Sequence, residues 1–121
     1  MEMEAIAKAR FARFGVRKVN AVLGQIRGKS VDQASFLLPL IPRRATELVG
    51  KTLKSAVSNL QGKAGRKIEP AGIWIKQAWV GPGPMSHMKR VMPAPMGRAM
   101  TFKRKVCHLT LIVADEPVKG N

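Results

Sequence analysis

Acid is scarce in this chain. Seven Asp and Glu stand against 22 Lys and Arg in 121 residues, a formal net charge of +15 and an isoelectric point near 11.3. So large an excess repels itself unless a polyanion answers it. The shortage is also local: no acid lies between Ala5 and Val31, and none between Pro70 and Ala114. The first interval carries Lys8, Arg10, Arg13, Arg17, Lys18, Arg27 and Lys29. The second carries Lys76, Lys89, Arg90, Arg98, Lys103, Arg104 and Lys105. These two blocks are the candidate contacts to phosphate oxygens.

Other absences narrow the function. Cys107 is the only cysteine, so no intrachain disulfide forms, which fits a reducing cytosol. One cysteine and two histidines, His87 and His108, make no zinc-ligand spacing, so no metal is expected. There are no paired carboxylates, no glycine-rich phosphate loop before a helix and no Ser/His/Asp set. The chain is therefore not read as an enzyme, and neither a cofactor nor a small-molecule substrate is expected. No run of about eighteen apolar residues exists to span a bilayer. Glu2 and Glu4 open a chain without an early apolar stretch, which is no secretory signal, so a cytoplasmic location is expected. A membrane-surface role wants a long helix with one basic and one bulky apolar face. The helical patterns here are short and their apolar faces look like core, so no membrane partner is expected.

What is present is enough for a modest core: 45% of the residues are hydrophobic. The length fits a single domain over residues 1–121. Residues 4–14 read as a strand, with Lys8 and Arg10 on one parity and Phe11 and Arg13 on the other. Val19, Val22, Leu23 and Ile26 lie at helical spacing, and Gly28 stops that helix. Ser30 and Gln33 have capping-box spacing and open a second short helix through Leu38. Pro39 and Pro42 end it, and Pro42 suits the first turn of the next. Ala45, Leu48, Val49, Thr52, Leu53, Ala56, Val57 and Leu60 form one stripe, predicting a third helix over residues 43–59, followed by a basic loop over 61–67. Residues 73–80 and 106–113 read as strands. In the second, Cys107, Leu109, Leu111 and Val113 share one face, and His108 and Thr110 the other. Trp74 and Trp79 differ in parity, which predicts opposite faces, one ring in the core and the other free to stack on a base. Helices and strands are segregated, which predicts an α+β fold: three helices packed on a small antiparallel sheet.

Between the last two strands lie residues 84–105, too many for a hairpin loop of about 2–5 residues. Met88, Met92, Met96 and Met100 recur every four residues, but Pro93, Pro95 and Gly97 forbid a helix there. In an extended chain the same methionines share one face, since a period of four is also a period of two. If the segment doubles back at Pro95-Met96-Gly97, it is a long protruding β-hairpin arm that reaches on the order of 30 Å. A bare two-stranded ribbon is marginal in water. Its unanswered Lys and Arg point to a phosphate-rich mould around it.

The ordered residues resemble a known family. Ile26-Arg27-Gly28-Lys29, Glu47-Leu48-Val49, Leu53-Lys54-Ser55-Ala56 with Asn59, and Lys76-Gln77-Ala78-Trp79-Val80 resemble the bacterial-type large-ribosomal-subunit protein twenty-two family. Gly83-Pro84, Met88-Lys89-Arg90-Val91-Met92-Pro93, Gly97-Arg98-Ala99 and His108-Leu109-Thr110 continue the match in order. The resemblance implies a structural constituent of the large subunit that binds its ribosomal RNA and supports assembly, without catalysis. It implies neighbouring ribosomal proteins as partners and a ribosome-associated, cytoplasmic location. It also implies a hairpin tip, Met92, Pro93, Ala94, Pro95, Met96 and Gly97, that lines the nascent-peptide exit tunnel and meets the passing peptide. Ala94 and Met96 stand where the family usually has basic residues, which predicts a more apolar tip. Ser86-His87 reads as a two-residue insertion.

Two other functions fit parts of the sequence. A proline-tipped arm suits an architectural DNA-binding protein that wedges apolar groups into a minor groove, but such proteins usually need a dimeric body. Cys107 beside His108 invites a thiol-nucleophile reading, but adjacent strand residues point to opposite faces.

Overall fold

The computed structural model describes residues 3–83, 89–93, 95–103 and 105–115. The stripe Val19, Val22, Leu23 and Ile26 forms the buried face of helix α1, Val16–Ile26. Each fully buried Val, Leu or Ile contributes about 1.5–3 kcal/mol relative to exposure. Gly28 follows with φ +76°, a left-handed turn that a side chain would strain. Ser30 caps helix α2, Val31–Leu37: its hydroxyl accepts from the Gln33 amide at 3.3 Å. A single 3-10 turn, Leu38–Leu40, carries Pro39.

Helix α3, Ala45–Ala64, is longer than the sequence predicted. It starts at Ala45 rather than at residue 43 and runs into the expected loop because Leu60 is still core, stopping where Gly65 turns left-handed at φ +69°. Pro42 lies outside it. The Arg43 amide donates back to the Ile41 carbonyl at 2.9 Å, a tight turn centred on Pro42 that suits its fixed φ.

Three strands make the main sheet: β1 Glu4–Ala12, β2 Trp74–Pro82 and β5 Cys107–Ala114, in the order β1-β5-β2, all antiparallel. The last strand in the chain is thus the central one. Cys107, Leu109, Leu111 and Val113 point into the core, against the helices. The other face of the sheet carries Lys8, Thr110 and Trp79 in one row and Ile6, Ile112 and Gln77 in the next.

Two bulges reset the alternation. On β1, Ala9 pairs with Leu109 but Ala12 with Cys107, so Arg10 and Phe11 together oppose His108. Phe11 therefore joins Lys8 and Arg10 on the outer face, against the parity in the sequence. On β2, Ile75 pairs with Val113 and Gln77 with Ile112, which leaves Lys76 as the extra residue. Trp74 and Trp79 consequently share the outer face, and neither enters the core. The expectation of one core tryptophan fails because a bulge inserts one residue and flips every later side chain of the strand to the other face.

A separate two-stranded ladder, β3 Lys89–Pro93 with β4 Ala99–Lys103, forms the hairpin arm. Met92 stands opposite Met100, so the methionine period is one of extended backbone. The chain reverses over Pro95–Gly97, with Met96 at φ 62° and Gly97 at φ +73°. The architecture is α+β, as the segregation of elements predicted. Met88, Ala94, Arg104 and the Ser86-His87 pair lie outside the described residues, as do the side chains of Lys89, Arg90, Met92, Pro93, Met100 and Lys103.

Candidate nucleic-acid interface

Lys29, whose carbonyl accepts from the Ile75 amide, and Lys76, paired with Glu4, lie at one end of the sheet, while the other end collects part of both acid-free blocks. There the arm joins the body: the Gly83 amide donates to the Val106 carbonyl at 2.8 Å, and Pro82 pairs with Cys107. Gly83 must stay small, because a Cβ there would lie 2.9 Å from Val106 Cγ1 and 3.3 Å from the His108 ring. Beside this root run the bulge of β1 and the start of α1. The Lys105 stem lies along Gly15, its Cδ 3.3 Å from where a Cβ would sit. Lys8, Arg10, Arg13, Arg17, Lys18 and Lys105 are all at least partly exposed around this end.

Two of the described acids lie at the other end. Glu4 pairs with Ala114 at the far end of the sheet, where Asp115 accepts from the Met3 amide at 3.0 Å. The strand between these ends spans about 27 Å at its usual rise. The sheet is therefore uneven in charge: its strands carry cations without acid toward the arm root, while at the opposite end Glu4 and Asp115 are mixed with Lys63 and Lys76.

Not every expected cation is equally available. The Arg27 Nε donates to the Ala78 carbonyl at 2.9 Å and Nη2 to Asn20 Oδ1 at 2.8 Å, so this guanidinium ties α1 to β2. Lys76 forms an ion pair with Glu4. Both positions are spoken for within the fold, although Arg27 remains at the surface. Lys29 and Arg98 are exposed. Among cations outside the acid-free blocks, Lys51 pairs with Glu47 at 3.2 Å, while Arg43, Arg44, Lys54, Arg66 and Lys67 are exposed.

Phe11 is the residue the sequence pattern does not reveal. Its φ of 57° is unusual for a bulky side chain. Its amide donates to His108 Nδ1 at 3.0 Å, and its ring meets the His108 ring edge-on, centroids 4.9 Å apart at 89°. The Arg10 guanidinium carbon lies 5.6 Å from the ring centre. Only the bulge assembles this cluster, and no local residue pattern announces it.

Cys107 is no nucleophile in this setting. It lies in the core, its thiol pushed up by burial and lowered only in part by a backbone hydrogen bond with Phe14. His108 occupies the opposite face. Among the described residues no group of three or more His, Cys, Asp or Glu could hold a metal, and no helix is long and apolar enough to cross a membrane.

The family model for ribosomal protein L22p/L17e matches residues 7–114. This chain belongs to the ribosomal protein L22p/L17e family. The match runs from within β1 to the end of β5 and takes in the helices and the arm. Similar proteins cover nearly the whole chain. The large ribosomal subunit protein uL22 of Endomicrobium trichonymphae is 43% identical over 113 residues, 93% of each chain. That of Thermoanaerobacter sp. (strain X514) is 40% identical over 114 residues, 94% of this chain and 99% of its own. That of Prochlorococcus marinus (strain AS9601) is 37% identical over 118 residues, 98% of this chain and 89% of its own. The family resemblance carried by the ordered motifs is thus borne out.

Proposed function

We propose that this chain is a structural constituent of the large ribosomal subunit, without catalytic activity. In this reading it is ribosome-associated in the cytoplasm and binds large-subunit ribosomal RNA. The body docks through its cationic end, with Lys8, Arg10, Arg13, Arg17, Lys18 and Lys105 on phosphates, and Lys29 adds a contact at the opposite end of the sheet. Lys89, Arg90, Arg98, Lys103 and Arg104 make the arm's contacts. Arg27 and Lys76 act mainly by positioning the elements that carry their neighbours. The tip, Met92 through Gly97, lines the exit tunnel, meets the nascent peptide and sits among neighbouring ribosomal proteins.

The single observation that carries the reading is the acid-free cationic end from which the arm departs. Recognition there is counterion release combined with shape complementarity to folded RNA. At the tip, Met96 is 95% exposed and held in a left-handed turn. Such a group gains nothing from the body. A crevice would supply it with contacts, and its thioether suits a surface that varied peptides pass.

Gradient fractionation of a tagged copy tests the assignment. Co-sedimentation with large subunits is expected, and removal of residues 88–100 is expected to leave RNA binding by the body measurable. Recovery as free protein or with the nucleoid would favour the DNA-architectural alternative instead.

A further inference from the structure

We propose that the helix-free face of the main sheet is a stacking platform for unpaired RNA nucleobases, with Phe11 and Trp79 as its two rings. The proposal rests on the RNA-binding reading above and specifies what that RNA presents.

Phe11 is held in a conformation that costs about 1–3 kcal/mol for a residue other than glycine, and outliers of this kind cluster at ligand clamps. Burial does not compensate it, since the residue is 55% exposed. The hydrogen bond that the Phe11 amide donates to His108 Nδ1 and the edge-on imidazole contact instead fix the ring where solvent reaches it. Arg10 already lies over that ring, so a positive plane is at hand to stack on a bound base.

Trp79 is 45% exposed on the same face. It shares a row with Thr110 and Lys8, and the next row holds Gly81, His108 and the Arg10-Phe11 bulge. A Cβ on Gly81 would meet nothing within 4 Å, so the sheet is open beside Trp79, while Thr110 and His108 on the central strand lie between the rings. From strand spacing and rise the two rings start about 12 Å apart. That is too far for two bases stacked on each other, but it suits splayed nucleotides, as on other aromatic sheet faces that bind RNA.

The electrostatics favour RNA over a protein partner. Lys8 and Arg10 flank the rings and reach solvent, while Glu4 lies at the far end paired with Lys76. A fully paired duplex would present its backbone to this face, and the rings would add nothing. An unpaired base offers a π-face to each ring while its phosphates reach the cations.

The test compares the full chain on two RNAs: a duplex carrying a bulge of unpaired adenines, and the same duplex without it. A Trp74→Phe background leaves Trp79 as the sole indole. Its fluorescence should be quenched by the bulged RNA and little changed by the paired one. Phe11→Gly deletes the ring while accommodating the positive φ, and Trp79→Val keeps a strand former. Each should weaken binding to the bulged RNA by roughly 5- to 150-fold, the range for one lost base–aromatic stack, with little change on the paired RNA. Circular dichroism should show both variants folded. Lys8→Ala should weaken both RNAs alike. Equal binding and equal fluorescence with the two RNAs, or ring variants that bind like the parent, would overturn the platform and leave RNA binding standing. Failure to bind either RNA would instead sink the RNA-binding reading on which the platform rests.

Discussion

The side chain with the clearest titration consequence is Cys107. Its ordinary pKa is 9.0, and burial raises it in the folded chain. Above pH 9.0 the unfolded chain begins to release the thiol proton that the folded chain still holds. The associated stability is therefore fully present below that pH and is lost as pH rises through the folded value. We expect the stability difference between the parent and Cys107→Ala to be constant up to about pH 9 and then to move against the parent, as measured by urea unfolding at stepped pH. Alkylation of the native thiol at neutral pH should be far slower than in denaturant. Single-residue chemistry was legible here from strand alternation alone: Cys107 sits with Leu109 and Leu111, and His108 faces the other way. Phe11 was not legible. Its face depends on a one-residue insertion relative to β5, and the choice of bulge site is made by pairing between segments far apart in the chain, as in the Phe11–His108 separation of 97.

Among the elements, the short ones depend most on their ends. Helix α2 has seven residues and buries only Val31 and Ala34, so its Ser30 cap is a large share of what holds it. Ser30→Ala is expected to cost about 1 kcal/mol, read as a lowered urea midpoint with unchanged slope. Ser30→Asp should recover most of it by accepting the same Gln33 amide. The capping pair was visible in the sequence because the motif is local. So were the apolar stripes of α1 and α3. The end of α3 was not, because Gln61-Gly62-Lys63-Ala64 looks like a basic loop. Its helical state is stabilised from outside: Lys63 Nζ donates to the Glu4 carbonyl at 2.9 Å and Gln61 Nε2 to the Ile68 carbonyl at 3.2 Å. Both β1 and the segment after the helix must be in place before those bonds exist.

At the scale of the whole molecule, the cations toward the arm root have no acid beside them on the strands, and in the proposed function that cluster sets how RNA affinity responds to salt. Replacing Arg13, Arg17 and Lys18 together with Gln should reduce the steepness of log affinity against log salt by roughly 2–3, at about 0.7–0.9 for each lost phosphate contact. The same count of changes at Lys63, Arg66 and Lys67, by the end of α3 that Lys63 ties to the Glu4 carbonyl, should flatten it less; filter binding across a salt series measures both. The two blocks were legible as runs without acid. That the fold would bring parts of both to the arm root was not, since it depends on β5 lying between β1 and β2. That strand order also governs when the molecule can be completed. Residues 4–12 find their partner only in residues 107–114, so during synthesis the opening strand waits for nearly the whole chain to emerge. Until then the hydrophobic faces of β1 and β2 have no centre to join, and the protein leaves its own ribosome with its sheet still to be closed. Loop closure on that scale makes folding slow, and the unjoined edges invite aggregation until it is complete.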